Sequence, residues 1–187
     1  MQITNITDRL FRLENIVPES VVTQLLELDW LSMPWRRGHA QQHWLRRSLD
    51  FGNCAVLEQV HNCIWQAIPQ IESQCAIEFE SRFPATQWWL DEPGFKVDLH
   101  TDGHLNGSIQ LFWLAPGPEF GTTFYNSKRE HDLLYQFPFV ANTGYMMLNG
   151  PDPDGSQPLQ WHAMLRTVPD NTYRVTSYTH FTNYLTK

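Results

Sequence analysis

The chain has 187 residues, with 13 Lys and Arg against 20 Asp and Glu, a formal charge of −7 at pH 7. That length suits one domain of about 100–200 residues with its own core, and the acidic balance argues against a general phosphate-backbone binder, which needs a basic surface. Apolar residues make up 42% and charged residues 18%, a balance that belongs to folded rather than disordered chains.

Rings are the unusual component: 8 Trp, 6 Tyr and 11 Phe, alongside 12 Pro and 10 Gly. Together they favour a β-rich chain with many turns, the rings lining either its core or an aromatic pocket. Cys54, Cys63 and Cys75 are odd in number and form no C-x-x-C pair, so neither a disulfide framework nor a thiolate zinc site is expected. Met1 to Arg9 hold no apolar core of a secretory signal, and no run of about 18 apolar residues offers a membrane span. The expectation is a cytoplasmic protein with three free thiols.

Pro18-Glu19-Ser20 opens a stretch with Val21, Val22, Leu25, Leu26 and Leu28, and proline and an acid in the first turn suit a helix start. A loop with Pro34, Arg36, Arg37 and Gly38 follows. Asn53 is placed to cap a second helix. Its Val56, Leu57, Val60, Ile64, Ile68 and Ile71 recur at three and four and form one apolar face. Pro69 is expected to kink or end it, and Glu58, Gln59, His61 and Gln66 fall on the polar side.

From about Thr86 short β-type runs alternate with turn signals: Thr86–Leu90, Phe95–His100, Ser108–Leu114, Thr122–Tyr125, Thr143–Leu148, Leu159–Leu165 and Tyr173–Phe181. Seven short strands at this spacing predict a mainly β fold, a sandwich or jelly-roll barrel. The expected layout is a single domain over 1–187, with 1–80 mostly helical support and 86–181 the jelly-roll core. Trp30–Leu49 and Lys128–Phe139 are expected as loops around the barrel mouth.

Chemistry gathers in Val97-Asp98-Leu99-His100-Thr101-Asp102-Gly103. Residues i and i+2 of a strand share a face, so His100 and Asp102 project side by side and can hold two neighbouring positions on a metal. A third ligand is available at His162, inside a predicted strand. Two histidines and one carboxylate on one face leave three positions open, the donor set of non-haem Fe(II) oxygenases. Arg174 and Thr176 share a face of the last long strand, and a guanidinium fork beside a hydroxyl suits a carboxylate. His39, His43, His61, His131 and His180 are isolated and make no metal constellation. His104 is read as a loop residue, because Gly103 turns the chain first.

H-x-D, a distal His and then R-x-S/T some ten residues later resembles the Fe(II)/2-oxoglutarate-dependent oxygenases. Trp89-Leu90-Asp91-Glu92-Pro93-Gly94-Phe95 is similar to the lead-in of prolyl-hydroxylase-like members. Gly121-Thr122-Thr123-Phe124-Tyr125 is similar to their G-G-x-T-x-F segment, with Phe120 in place of the first Gly. The resemblance runs from Thr86 to Phe181. It implies a double-stranded β-helix (jelly roll, cupin-like) barrel buttressed by N-terminal helices. It also implies Fe(II) on His100, Asp102 and His162, with the distal carboxylate of 2-oxoglutarate on Arg174 and Thr176. The chain departs from many prolyl-hydroxylase-like members in having Arg174 where they have Lys, and in Thr176 where Ser is commoner.

The activity implied is O2-dependent hydroxylation of a peptidyl residue, an amino acid or a small metabolite, with succinate and CO2 released and ascorbate stimulating. Two other readings stay open on the residues alone: a non-catalytic jelly-roll binding module, and a cupin-type metalloenzyme that uses no 2-oxoglutarate. Nucleic acid is disfavoured as a partner by the charge, and no membrane partner is expected.

Overall fold

The structure is a computed structural model that describes residues 1–37, 45–79, 85–102, 107–149, 160–181 and 184–186. His39, His43 and His104 fall outside these ranges. The strands are β1 (Gln2–Asn5), β2 (Leu10–Glu14), β3 (Arg36–Arg37), β4 (Arg46–Asp50), β5 (Ile77–Phe79), β6 (Ala85–Asp91), β7 (Val97–His100), β8 (Gly107–Leu114), β9 (Thr122–Tyr125), β10 (Leu133–Phe137), β11 (Thr143–Leu148), β12 (Trp161–Met164), β13 (Arg174–Phe181) and β14 (Tyr184–Thr186). The helices are α1 (Glu19–Leu26) and α2 (Ala55–Cys75).

A major sheet has the order β1-β2-β11-β8-β13-β6-β4-β3, and a minor sheet the order β10-β9-β12-β7. Between β6 and β13 the chain visits them in the sequence major, minor, major, minor, minor, major, minor, major. Every described ladder is antiparallel. That winding is the expected double-stranded β-helix.

Strand alternation sorts the major sheet into two faces. On the outer face Trp88, Leu90, Ile109, Leu111, Trp113, Val175 and Phe181 join Leu57, Val60, Ile64, Ile68 and Ile71 of α2 in one buried cluster. Each such side chain contributes about 1.5–3 kcal/mol relative to exposure, so burial against the sheet is what holds α2. On the inner face, toward the minor sheet, Phe112, Tyr145 and Met147 pack with Leu10, Phe124, Phe137 and Phe139. β8 is buried on both faces, as suits a central strand between a helix layer and a second sheet.

All seven predicted strands are present, with ends moved by a few residues. Residues 1–80 bring more than helical support, because β1 and β2 extend the major sheet at one edge and β4 and β3 at the other. β4 and β10 also replace parts of the two segments expected as mouth loops. α2 starts one residue later than an Asn53 cap implies, with Cys54 as its N-cap.

Pro69 neither ends nor interrupts α2, which continues to Cys75. Proline lacks the N–H that would bond back to the turn at Trp65, a residue 38% exposed, while Ile68 and Ile71 stay buried. Packing outweighs the lost bond. Ala76, in the left-handed region at φ 52°, closes the helix. His61 is a second correction: it is buried against the sheet rather than on the polar side. Its Nδ1 lies 2.9 Å from Thr86 Oγ1, which in turn lies 2.8 Å from Thr179 Oγ1. Cys54, Cys63 and Cys75 are free thiols, and no helix among the described residues is long and apolar enough to cross a membrane.

Candidate metal centre

Register brings the two histidines together. β12 pairs with β7 so that His162 sits opposite His100, and Asp102 follows just past the end of β7. One ligand atom from each of His100, Asp102 and His162 lies within 4.8 Å of the others. The imidazoles face each other at 4.3 Å between ring centroids, and His162 stacks on Phe124 at 5.3 Å. His162 is buried, whereas the His100 side chain is 39% exposed, so the group opens on the His100 side.

Both rings are set by their second nitrogen. His100 Nδ1 lies 2.8 Å from the Asp98 carbonyl and His162 Nδ1 lies 2.9 Å from the Gln160 carbonyl. A carbonyl oxygen only accepts, so each Nδ1 carries a proton and each Nε2 is the nitrogen left to face a metal. Both Nε2 atoms are turned to Asp102, with His100 Nε2 3.4 Å from Oδ1 and His162 Nε2 3.6 Å from Oδ2. A metal cation held between the carboxylate and the two nitrogens would take their lone pairs in place of a proton. The backbone-anchored Nδ1 is the outer-shell bond that metal-binding histidines use. The donor set therefore fits a divalent metal with open positions. Burial pushes the His162 imidazole down from its ordinary range, which keeps it neutral. His100 is pushed up, first by its bond to Asp102.

Arg174 and Thr176 share the inner face of β13 and are both buried. Arg174 is not a lone guanidinium. Its Nη1 donates to Asp91 Oδ2 at 2.6 Å and its Nε to the Phe120 carbonyl at 3.0 Å. Thr176 accepts a hydrogen bond from Gln110 Nε2 at 3.4 Å, and since that amide nitrogen only donates, the threonine keeps its own proton to give away. Gln110 Oε1 accepts from Tyr145 at 2.6 Å and from Thr122 at 3.4 Å.

Five residues of this region were not singled out as functional in the sequence. Asp91 and Arg46 pair through Arg46 Nε to Oδ1 at 2.6 Å and Nη2 to Oδ2 at 3.1 Å. Tyr145 and Gln110 complete the polar cluster around Thr176. Asn149 also bears on the candidate metal group: it donates to the Asp102 carbonyl at 3.2 Å and accepts from Gln160 N–H at 3.3 Å, tying together the two segments that carry the candidate ligands. The one available signal was alternation, which puts Gln110 and Tyr145 on the inner face once their strands are drawn.

No family model matches the sequence, and no curated protein matches it. Solved structures do match. A prolyl-4-hydroxylase from Pseudomonas putida superposes with a TM-score of 0.64 at 12% identity, covering 92% of this chain and 91% of that one. A viral collagen prolyl hydroxylase from Paramecium bursaria Chlorella virus-1, solved with 2-oxoglutarate, gives 0.58 at 13% identity over 92% and 95%. The α-ketoglutarate-dependent epimerase SnoN from nogalamycin biosynthesis gives 0.62 at 7% identity over 96% and 81%. The chain thus has the double-stranded β-helix fold of the iron- and 2-oxoglutarate-dependent oxygenases.

Proposed function

We propose that the chain is a non-haem Fe(II)- and 2-oxoglutarate-dependent oxygenase that hydroxylates a small molecule or a peptidyl residue. The observation that carries this is the pair of backbone-anchored imidazoles turned onto one carboxylate, on the inner side of a barrel whose last strand holds a buried arginine. In this reading His100, Asp102 and His162 bind the metal. Arg174 and Thr176 bind the distal carboxylate of 2-oxoglutarate, by charge and by the free threonine proton respectively. Bound iron supplies oxygen activation, and O2 is the oxidant. The overall balance is substrate C–H plus O2 plus 2-oxoglutarate giving substrate C–OH, succinate and CO2.

The chain's own part is geometric. Phe112, Phe124 and Tyr145 keep the inner face apolar and exclude water around the polar groups. The exposed edge of His100 gives the substrate its approach. Three free thiols suit the reducing cytoplasm.

A second reading, a cupin-type metalloenzyme without 2-oxoglutarate, draws on one observation: Arg174 is already bonded to Asp91 and to Phe120. The experiment that separates them is an assay for succinate and CO2 from 2-oxoglutarate with Fe(II) and ascorbate. Release that vanishes in Asp102→Ala supports the oxygenase. Absence of release, together with no binding of 2-oxoglutarate to the metal-loaded protein, supports the alternative.

A further inference from the structure

Arg174, Asp91 and Arg46 are one cluster. Arg174 and Asp91 are buried to 1% and 0% exposure, and the Arg46 side chain is 13% exposed. Arg46 grips Asp91 with two nitrogens, at 2.6 and 3.1 Å, and Arg174 takes the same carboxylate at 2.6 Å. The Arg46 guanidinium is itself held between rings, 4.2 Å from the Trp89 centroid and 4.4 Å from that of Phe95. Glu92, the next acid along, turns to Arg37 and Arg47 instead.

The charges do not cancel. Two guanidiniums and one carboxylate leave +1. The ionisable side chains acting on Arg174 are Asp91, Arg46 and Tyr145, and among the described residues no second carboxylate acts on it. An uncompensated buried charge is costly, so the cluster calls for one anion. An Arg174–Asp91 pair alone would be neutral and would offer a carboxylate only a dipole.

Resting on the oxygenase reading, we propose that Arg46, Asp91 and Arg174 form a single receptor for the distal carboxylate of 2-oxoglutarate. Arg174 touches the co-substrate. Asp91 is a positioning residue that holds one edge of the Arg174 fork and turns the rest toward the barrel. Arg46 is a positioning residue that restores the charge Asp91 removes, matching the receptor's +1 to the single negative charge of that carboxylate.

The test is calorimetric titration of 2-oxoglutarate into the Mn(II)-loaded protein, as wild type, Arg46→Gln and Arg46→Lys, with the Mn(II) affinity of each measured separately. Arg46→Gln should weaken 2-oxoglutarate binding by about tenfold or more. Arg46→Lys keeps the charge without the fork and should recover most of the loss. Mn(II) affinity should be the same in all three. A purely structural role predicts instead that Lys fails to rescue, or that Mn(II) binding falls in parallel, and either result overturns the proposal. So does 2-oxoglutarate affinity in Arg46→Gln within twofold of wild type. If the wild type binds Mn(II) but no 2-oxoglutarate, the oxygenase reading itself fails and the receptor goes with it.

Discussion

At His162 burial, the Nδ1 anchor and the ring contact with Phe124 all fix one lone pair in place. Replacing it by Ala removes one of three donors and leaves two on the open side. Metal affinity should fall by more than the roughly 10–100-fold that outer-shell changes cost, as read by Mn(II) titration; unchanged affinity would show that the ligand set is wrong. In the proposed site Arg174 acts at the other end. Removing one partner of a buried charge pair costs about 3–5 kcal/mol, so Arg174→Ala should weaken 2-oxoglutarate binding by about 100-fold or more at 1.4 kcal/mol per tenfold. Arg174→Lys should lose less, since it keeps the charge without the fork. Metal affinity should stay level in both variants.

These residues differed in how legible they were. His100 and Asp102 could be read because their relation is local, two positions apart in a strand. His162 needed only the idea that a third ligand comes from another strand. Arg46 and Asp91 could not be read as a pair: they are 45 positions apart, and nothing periodic links them. The sequence could place Arg174 on the face of Thr176, but not reveal the carboxylate already on it.

At the scale of elements, α2 is the clearest case of packing overriding a local rule, since its apolar face continues past Pro69. β10 was missed although Leu133, Tyr135 and Phe137 alternate; turn residues on both sides hid it. β4 was missed for a firmer reason. Its inner face carries Arg46 and Ser48 and its outer face Arg47 and Leu49, so no apolar alternation exists to be found.

The His61–Thr86–Thr179 chain couples α2 to β6 and β13, and it carries a pH dependence. Burial lowers the His61 pKa, against a smaller raising effect of Glu58. The unfolded chain therefore takes up this proton first as pH falls through its ordinary 6.5, and stability declines below that pH until the folded value is passed. Melting temperatures between about pH 8 and pH 5 should fall more steeply for wild type than for His61→Gln. Parallel curves would mean that His61 titrates alike in both states.

At the scale of the molecule, the barrel is kept at 7–13% identity to the solved oxygenases compared above. Alternating strands with two buried faces are a demand that many different sequences meet, and that alternation set the fold class in the sequence. H-x-D, the distal His and R-x-T pointed to the candidate site. The flanking strands at both sheet edges, contributed by residues 1–80, lay outside any such pattern.

The central claim is that metal and 2-oxoglutarate meet at one site, with the imidazole–carboxylate group at one end and Arg174 at the other. The most direct measurement is a titration of 2-oxoglutarate into wild-type protein with and without Mn(II). The account predicts one molecule bound per chain when metal is present and binding at least about tenfold weaker without it, because one end of the co-substrate then loses its partner. Equal affinity with and without metal, or no binding in either case, would contradict it.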